Sequence, residues 1–168
     1  MYEPSSLPTP RSKVAIIGAG PAGLTALKCL LEEGLEPVAF ERAAEIGGNW
    51  RYDEALPDGG GLAYRSLRTN TSRRMTAYSG FPFPADLPDF LSRADVLQYL
   101  HAYADHFHLH PHIRLQTTVE TVTQAGPRWQ VTVRPPTGEP ETDMFDAIIV
   151  ASGFYHQPFT PSFPGAAS

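Results

Sequence analysis

The chain has 168 residues, which suits one domain with a hydrophobic core and is short for two. Its net charge of -5 argues against a nucleic-acid partner, because neutralising phosphates requires an excess of Lys and Arg. Cys29 is its one cysteine, which excludes an internal disulfide, a multi-cysteine metal site and the paired redox cysteines of a disulfide reductase. We expect a cytoplasmic protein with a disordered leader at residues 1–12 and no membrane segment, because no apolar run is long enough to span a bilayer.

The first part of the chain predicts a β-α-β unit. Residues 14–17 form a short apolar run typical of a buried strand, and residues 22–33 carry leucines at helical spacing before Gly34, which fits a helix C-terminus. Residues 38–40 predict a second strand, with Pro37 at its start. Two strands joined by a helix in this way are parallel neighbours in a sheet.

The rest of the chain predicts loops, one long helix and a small antiparallel meander. Residues 43–88 are dense in Gly, Pro, Asn, Ser and Arg and predict mostly functional loops. Residues 92–95 have the form of a capping box, which opens a helix with an apolar face. Alternation over 113–119 and 129–133 predicts two antiparallel strands, 144–150 predict one buried strand, and the prolines from 158 onward predict an extended tail.

The motif Gly18-x-Gly20-x-x-Gly23 lies between the first strand and the helix, which is the context that a dinucleotide-binding loop requires. The first glycine allows the tight turn, the second lets the backbone approach a pyrophosphate, and the third allows close packing of helix on strand. Glu41 ends the second strand about 20 residues downstream, where a carboxylate accepts hydrogen bonds from ribose hydroxyls. Because a carboxylate repels a 2′-phosphate, the motif predicts FAD or NAD rather than NADP and does not choose between the two.

Further motifs follow in order along the chain. They are Gly-Gly-Asn-Trp at 47–50, Ser-Leu-Arg-Thr-Asn at 66–70, Phe-Pro-Phe-Pro at 81–84, Ala-Ser-Gly at 151–153 and spaced prolines over 158–165. From Lys13 to the end, the sequence resembles the flavin-containing monooxygenase family, which carries similar motifs in this order. Ser152 departs from the family's usual Thr and keeps the hydroxyl. The family's Phe-x-Gly fingerprint with its His, and its second glycine-rich loop for NADPH, would lie beyond Ser168.

The resemblance implies an α/β fold, namely a Rossmann-like FAD/NAD(P)-binding domain with a parallel sheet, helices and a small antiparallel β-meander. Residues 13–168 would be an incomplete, truncated FAD-binding domain that lacks the NADPH-binding domain. In the family, NADPH reduces FAD, O₂ adds to it, and the flavin hydroperoxide oxygenates a soft nitrogen or sulfur nucleophile, a small-molecule substrate. We expect this chain alone to be inactive, because the hydride donor has no site on it.

Other classes of protein stay open. Baeyer–Villiger monooxygenases share the glycines and the Gly-Gly-x-Trp segment but do not usually carry the Thr-Asn and Phe-Pro-Phe-Pro pair. A non-catalytic FAD-binding module that needs a partner chain, and a truncated product without a stable fold, are two further alternatives. An NAD-dependent dehydrogenase ranks lowest, because it needs neither the Gly-Gly-x-Trp nor the Thr-Asn segment.

The resemblance also implies roles for individual residues. Asn70 would be the catalytic residue at the reactive edge of the flavin, with a turn-forming Asn as the structural alternative. Trp50 would line the flavin and Val119 would meet the adenine through its backbone, and each is a core residue in the alternative interpretation. The expected cofactor-binding set is Gly18, Gly20, Pro21, Ala22, Gly23, Glu41, Arg42, Gly47, Gly48, Trp50, Thr69, Asn70, Val119, Ala151, Ser152 and Gly153.

Two groups of basic residues need separate interpretation. Histidines alternate with other residues at His106, His108, His110 and His112, but there is no cysteine and few carboxylates are near, so we expect no metal site. A second group, which consists of Arg65, Arg68, Arg73 and Arg74, would either contact phosphates of FAD or NADPH or belong to a solvated basic loop.

Overall fold

The computed structural model describes residues 11–52, 63–154, 161–163 and 165. Its helices are α1 (Pro21–Glu32), α2 (Arg73–Thr76) and α3 (Arg93–His106), with 3-10 turns at Gly48–Trp50 and His110–His112. Its strands are β1 (Lys13–Ile17), β2 (Glu36–Phe40), β3 (Ile113–Arg114), β4 (Thr118–Ala125), β5 (Arg128–Arg134), β6 (Glu141–Phe145) and β7 (Ala147–Val150). They form a four-stranded parallel sheet in the order β3-β2-β1-β7 and a three-stranded antiparallel sheet in the order β4-β5-β6.

The parallel sheet is covered on both faces, which gives three layers. On one face, Ile16 of β1 belongs to the larger buried cluster with α1 and α3. On the other face, its neighbour Ala15 belongs to a second cluster with the antiparallel sheet, where the rings of Phe40 and Phe145 meet edge to face at 5.9 Å. Because successive side chains of a strand point to opposite faces, one strand serves both clusters. The predicted α/β fold with a parallel sheet and a small meander is confirmed.

The predicted β-α-β unit and the capping box are also present. β1 and β2 run parallel in register along their whole length. After α1, the N–H of Gly34 donates to the carbonyl of Leu31 at 3.0 Å, as expected at a helix C-terminus. At the start of α3, Ser92 Oγ accepts from the Asp95 N–H at 3.2 Å, and the Asp95 carboxylate accepts from the Ser92 N–H at 2.8 Å.

The prediction of one strand over 113–119 is wrong. Ile113 and Arg114 form β3, which pairs with the end of β2 in the parallel sheet. Gln116 then takes a left-handed conformation with φ 51°, which redirects the chain toward the other sheet. β4 therefore begins only at Thr118, and from there it pairs antiparallel with β5.

The prediction of one buried strand over 144–150 is wrong as well. β6 ends and β7 begins on either side of Asp146, which lies between the two sheets. Its N–H donates to the Lys13 carbonyl at 2.8 Å, and its carboxylate accepts from the Lys13 N–H and from Arg128 Nε, each at 2.8 Å. β7 is an edge strand of the sheet in the described part of the chain, and Val150 is 72% exposed.

The junction at Asp146 predicts an acid-sensitive contribution to stability. The Lys13 backbone N–H and the nearby Arg128 lower the pKa of Asp146, and a hydrogen-bonded ion pair with the Lys13 side chain lowers the pKa of Asp143. A carboxyl whose pKa is lower in the folded state stabilises the fold above its unfolded pKa, near 3.8. This contribution is lost as the pH falls below that value through the lower folded pKa.

We expect the urea midpoint of the wild-type chain to fall more between about pH 6 and about pH 3 than that of Asp146→Asn. The matched control is Asp86→Asn, which changes an exposed aspartate with no ion pair in the described ranges. It should keep the wild-type pH dependence. Equal pH dependence in Asp146→Asn and wild type would contradict the assignment.

The described ranges also bear on the predicted terminal and loop segments. Residues 1–10 of the expected leader and most of the tail from 158 lie outside them, so those predictions stay untested. Between 43 and 88, the described residues form loops apart from the first 3-10 turn and α2, as predicted. Across all the described ranges, no helix combines the length and apolarity that crossing a membrane requires.

Candidate functional site

The glycine loop joins β1 to α1 and packs against its neighbours through main-chain atoms. At Gly18, where φ is 103°, an added Cβ would lie 2.6 Å from the carbonyl oxygen of Ala151. At Gly23, an added Cβ would lie 1.9 Å from the carbonyl oxygen of Gly18. Both glycines are therefore required by the fold itself, because backbone atoms occupy the space that a side chain would need.

Gly20 has no such requirement from the protein's own packing. Its backbone is extended (φ -79°, ψ -170°), and the nearest atoms to an added Cβ are Cα and N of Gly48, at 3.4 and 3.7 Å. A pyrophosphate that approaches the backbone would explain a glycine here. α1 begins with Pro21 and its N-terminus has no side-chain cap, which leaves N–H groups of the first turn to an anion. The residues present therefore fit a dinucleotide phosphate.

Glu41 is buried at the end of β2 and is 7% exposed. Its Oε2 accepts from the N–H of Ala19 and its Oε1 from the N–H of Ala43, each at 2.9 Å. A carboxylate has about four lone-pair sites, so acceptor capacity is left for ribose hydroxyls. The sequence predicts only a ribose ligand at this position. The structure adds that the same carboxylate ties the glycine loop to the turn after β2.

The Gly47-Gly48 segment lies directly against the glycine loop. The N–H of Gly47 donates to the carbonyl of Ala19 at 3.0 Å, and a Cβ added at Gly48 would lie 3.0 Å from Cα of Gly20. Trp50 follows in the 3-10 turn and is half-buried. Two motifs that are distant in the sequence thus form one surface.

The Thr-Asn segment shares a cavity with Trp50. The cavity has a volume of about 390 Å³ and is lined by Trp50, Tyr64, Leu67, Arg68, Thr69, Asn70, Thr71 and Thr76. Thr69 is buried, and its Oγ1 accepts from the Leu91 N–H at 3.0 Å and donates to the Thr71 carbonyl at 2.9 Å. These bonds fix the turn that carries Asn70. Asn70 itself is exposed and lines the cavity.

The remaining predicted site residues are placed less directly. Pro21 and Ala22 form the first turn of α1, and the Ala151 N–H donates to the Ile17 carbonyl at 2.9 Å beside the glycine loop. Val119 is half-buried in β4, next to a break in the ladder before Thr121. Arg42, Ser152 and Gly153 are exposed, and the binding roles of all the predicted site residues stay predictions.

Two arginines of the group formed by Arg65, Arg68, Arg73 and Arg74 donate hydrogen bonds to main-chain carbonyls. Arg73 Nη1 donates to the carbonyls of Pro84 and Leu87, each at 2.7 Å, so this side chain braces the Phe-Pro-Phe-Pro loop. Arg68 donates to the carbonyl of Phe90 at 3.2 Å. Across the described ranges, no group of three or more His, Cys, Asp or Glu residues, the alternating histidines included, is arranged to hold a metal ion.

Two tyrosines near the glycine loop are absent from the predicted set. Tyr78 Oη donates to the carbonyl of Pro21 at 2.9 Å, and the Tyr78 N–H donates to Tyr99 Oη at 2.8 Å. Tyr99 Oη in turn donates to the carbonyl of Phe81 at 2.6 Å. Burial, together with the neighbouring Tyr99 and Tyr103, raises the pKa of Tyr78, which keeps its hydroxyl protonated as a donor. No sequence pattern indicates this contact, because its partners are far apart in the chain and one of them is a backbone carbonyl.

The fold and site together define a class of protein. A parallel sheet, a glycine loop after β1, an uncapped helix N-terminus and an acid at the end of β2 are the features of a dinucleotide-binding α/β protein. A family model described as flavin-binding monooxygenase-like matches residues 11–168, and the chain belongs to this family.

Curated relatives agree with this assignment. The chain is 42% identical to flavin-containing monooxygenase 1 of Homo sapiens and 44% identical to the N-oxide-forming dimethylaniline monooxygenase 2 of Cavia porcellus, each over 160 residues. Both alignments cover 91% of this chain and 30% of the relative. The chain therefore spans less than a third of the length of these relatives.

Solved structures show the same fold. S-allyl-L-cysteine S-oxygenase from Allium sativum matches with a TM-score of 0.84 and 31% identity, over 94% of this chain and 40% of that one. An oxidised steroid monooxygenase bound to NADP matches with a TM-score of 0.71 and 28% identity, over 94% of this chain and 29% of that one. These likenesses confirm the predicted Rossmann-like fold.

Proposed function

We propose that the chain binds FAD and that residues 13–168 are one part of a longer flavin monooxygenase. The observation that carries the proposal is Gly20, where the protein's own packing leaves room for an added Cβ and which lies at an uncapped helix N-terminus. The first turn of α1 would hold the pyrophosphate and Glu41 the adenosine ribose. Trp50 and Asn70 would line the flavin. When bound, the flavin would supply redox chemistry that no side chain of this chain provides.

Asn70 is the residue that we propose to contact the reacting atoms. Its amide carries both donors and an acceptor, and it is exposed in the cavity that Trp50 also lines. The buried hydroxyl of Thr69 holds the turn in place. An amide fixed in this way can hydrogen-bond a polar ring edge while the indole excludes water from it.

For the whole protein, we propose NADPH-dependent oxygenation of a small molecule at a soft nitrogen or sulfur. The names of an N-oxide-forming relative and of an S-oxygenase with the same fold support this substrate class. The Thr-Asn and Phe-Pro-Phe-Pro segments favour it over a Baeyer–Villiger reaction. The full-length protein should turn over sulfides and tertiary amines and not cyclic ketones. Turnover of ketones alone would favour the alternative.

The visible spectrum of the purified chain tests FAD binding. We expect the oxidised-flavin absorption bands to stay with the protein through gel filtration after incubation with FAD. The reason is that the glycine loop, Glu41 and the Gly47-Gly48 segment already form one surface. A folded chain that elutes colourless after the same treatment would contradict the proposal.

The reaction with NADPH tests whether this chain suffices for catalysis. We expect anaerobic NADPH to bleach the bound flavin no faster than it bleaches free FAD, because the 168-residue chain has a single Gly-x-Gly-x-x-Gly loop. Dithionite is the positive control, since it reduces flavin without a nucleotide site. Rapid NADPH-dependent bleaching followed by sulfide oxygenation would show that the chain alone is an active monooxygenase.

A further inference from the structure

Tyr78 contacts the glycine-loop helix with its hydroxyl and α3 with its backbone. Its Oη lies 2.9 Å from the carbonyl oxygen of Pro21, the first residue of α1. Its N–H lies 2.8 Å from Tyr99 Oη, and Tyr99 is buried in α3. The bonds at both ends leave Tyr78 little freedom to move relative to α1.

The chain just before Tyr78 links it to the turn that carries Asn70. Thr71 Oγ1 and Thr76 Oγ1 are hydrogen-bonded at 2.9 Å, and Thr76 Oγ1 also lies 2.9 Å from the carbonyl of Ser72. α2 follows Ser72, includes Thr76 as its last residue and so ends two positions before Tyr78. The Asn70 turn is therefore hydrogen-bonded to the end of α2, and Ala77 alone separates that end from Tyr78.

We propose that Tyr78 is a positioning residue that fixes the Asn70 turn relative to the glycine loop, so that one dinucleotide can contact both. The inference rests on the proposed FAD binding. A pyrophosphate would bind at the glycine loop and the flavin ring beside Trp50 and Asn70. Since FAD is a single molecule that spans the two places, a change in their separation weakens its binding even when each place is intact.

The Tyr78 ring is held by packing as well as by its hydroxyl. Its centroid lies 4.7 Å from that of Tyr103 and 5.5 Å from that of Tyr99. Tyr78→Phe keeps these ring contacts and removes only the donor to Pro21. Tyr103→Phe is a matched control, because Tyr103 is buried in the same cluster and no hydrogen bond to its hydroxyl is found within the described residues.

Titration of the 168-residue chain with FAD and, separately, with ADP tests the proposal. ADP reaches the glycine loop and Glu41 but carries no flavin ring. We expect Tyr78→Phe to raise the Kd for FAD about three- to tenfold, the effect of one hydrogen bond, and to leave the Kd for ADP within about twofold. Tyr103→Phe should leave both constants within about twofold of wild type. Calorimetry measures both ligands, and urea unfolding of the apo-chain checks that each variant is folded.

A second variant tests the other end of Tyr78. Tyr99→Phe removes the acceptor for the Tyr78 N–H while the Tyr78 hydroxyl stays. If Tyr99 acts through Tyr78, its effect on FAD affinity should be smaller in the Tyr78→Phe background than alone, whereas full additivity would contradict the proposal.

The ways in which the inference can fail are distinct. An unchanged FAD affinity in Tyr78→Phe would overturn it and leave the proposed function intact. An equal loss of FAD and ADP affinity would also overturn it, because Tyr78 would then support the glycine loop alone. A folded wild-type chain that binds no FAD would overturn the proposed function and the inference together.

Discussion

Gly20→Ala is expected to weaken FAD binding on the order of 10- to 100-fold while the apo-chain keeps its stability. An added Cβ at this position meets only Gly48, at 3.4 Å or more, and the extended backbone suits alanine. The free energy of unfolding should therefore be unchanged or higher by about 0.4–1 kcal/mol, because alanine restricts the unfolded chain. A pyrophosphate against the backbone would meet the methyl group, and overpacking of this kind costs about 1–3 kcal/mol. FAD titration and urea unfolding of the same preparations measure the two effects.

Gly23→Ala is the contrasting variant. Its Cβ would lie 1.9 Å from the carbonyl oxygen of Gly18, a backbone atom that cannot move without displacing the loop. We expect a loss of about 3 kcal/mol or more in the free energy of unfolding, even without ligand. The two substitutions thus separate a glycine needed for the fold from one needed for the ligand. Wild-type FAD affinity in Gly20→Ala would show that no phosphate approaches this backbone.

Glu41→Gln is expected to lower the free energy of unfolding of the apo-chain by about 2–4 kcal/mol. The buried carboxylate accepts from the N–H groups of Ala19 and Ala43, each at 2.9 Å. A glutamine has one side-chain oxygen, so its amide nitrogen would face one of these N–H groups as a second donor. One buried N–H would lose its acceptor, and the other would lose a charged one, which together account for the expected cost. Urea unfolding with two probes measures the change and checks that it is two-state.

The control for this prediction is Glu45→Gln, the same chemical change on a more exposed residue. Glu45 is paired with Arg51 at 3.4 Å, its carboxylate lies 3.6 Å from His101 Nε2, and 45% of its side chain is exposed. Ion pairs of this kind contribute at most about 1 kcal/mol, so we expect a small effect. If Glu41→Gln had the stability of Glu45→Gln, then Glu41 would not join the glycine loop to the turn after β2. Any effect on FAD would then be due to the ribose contact alone.

Local patterns in the sequence determined the elements whose partners are near in the chain. Three glycines at fixed spacing after an apolar run predict a strand, a turn and a helix, because each residue acts on its own backbone or on the next turn. The capping box of α3 is similar, since Ser92 and Asp95 satisfy each other's backbone groups. Fold class and family followed from such motifs and their order, and both are confirmed.

Only the tertiary structure decided where the chain changes sheets. The apolar patterns over 113–119 and 144–150 each look like one strand, because periodicity reports burial and not which sheet provides it. Gln116 turns the chain through a left-handed backbone, and Asp146 bonds to Lys13 at the far end of the sequence. Contacts between residues so distant leave no local pattern.

The same distinction applies to the site. The residue types that suit a dinucleotide are visible in the sequence, because the phosphate and ribose impose them directly. The second role of Glu41 and the bond from Tyr78 to Pro21 are visible only in the folded chain. A backbone carbonyl or N–H is present at almost every residue, so sequence cannot single out the ones that fold brings within hydrogen-bonding distance.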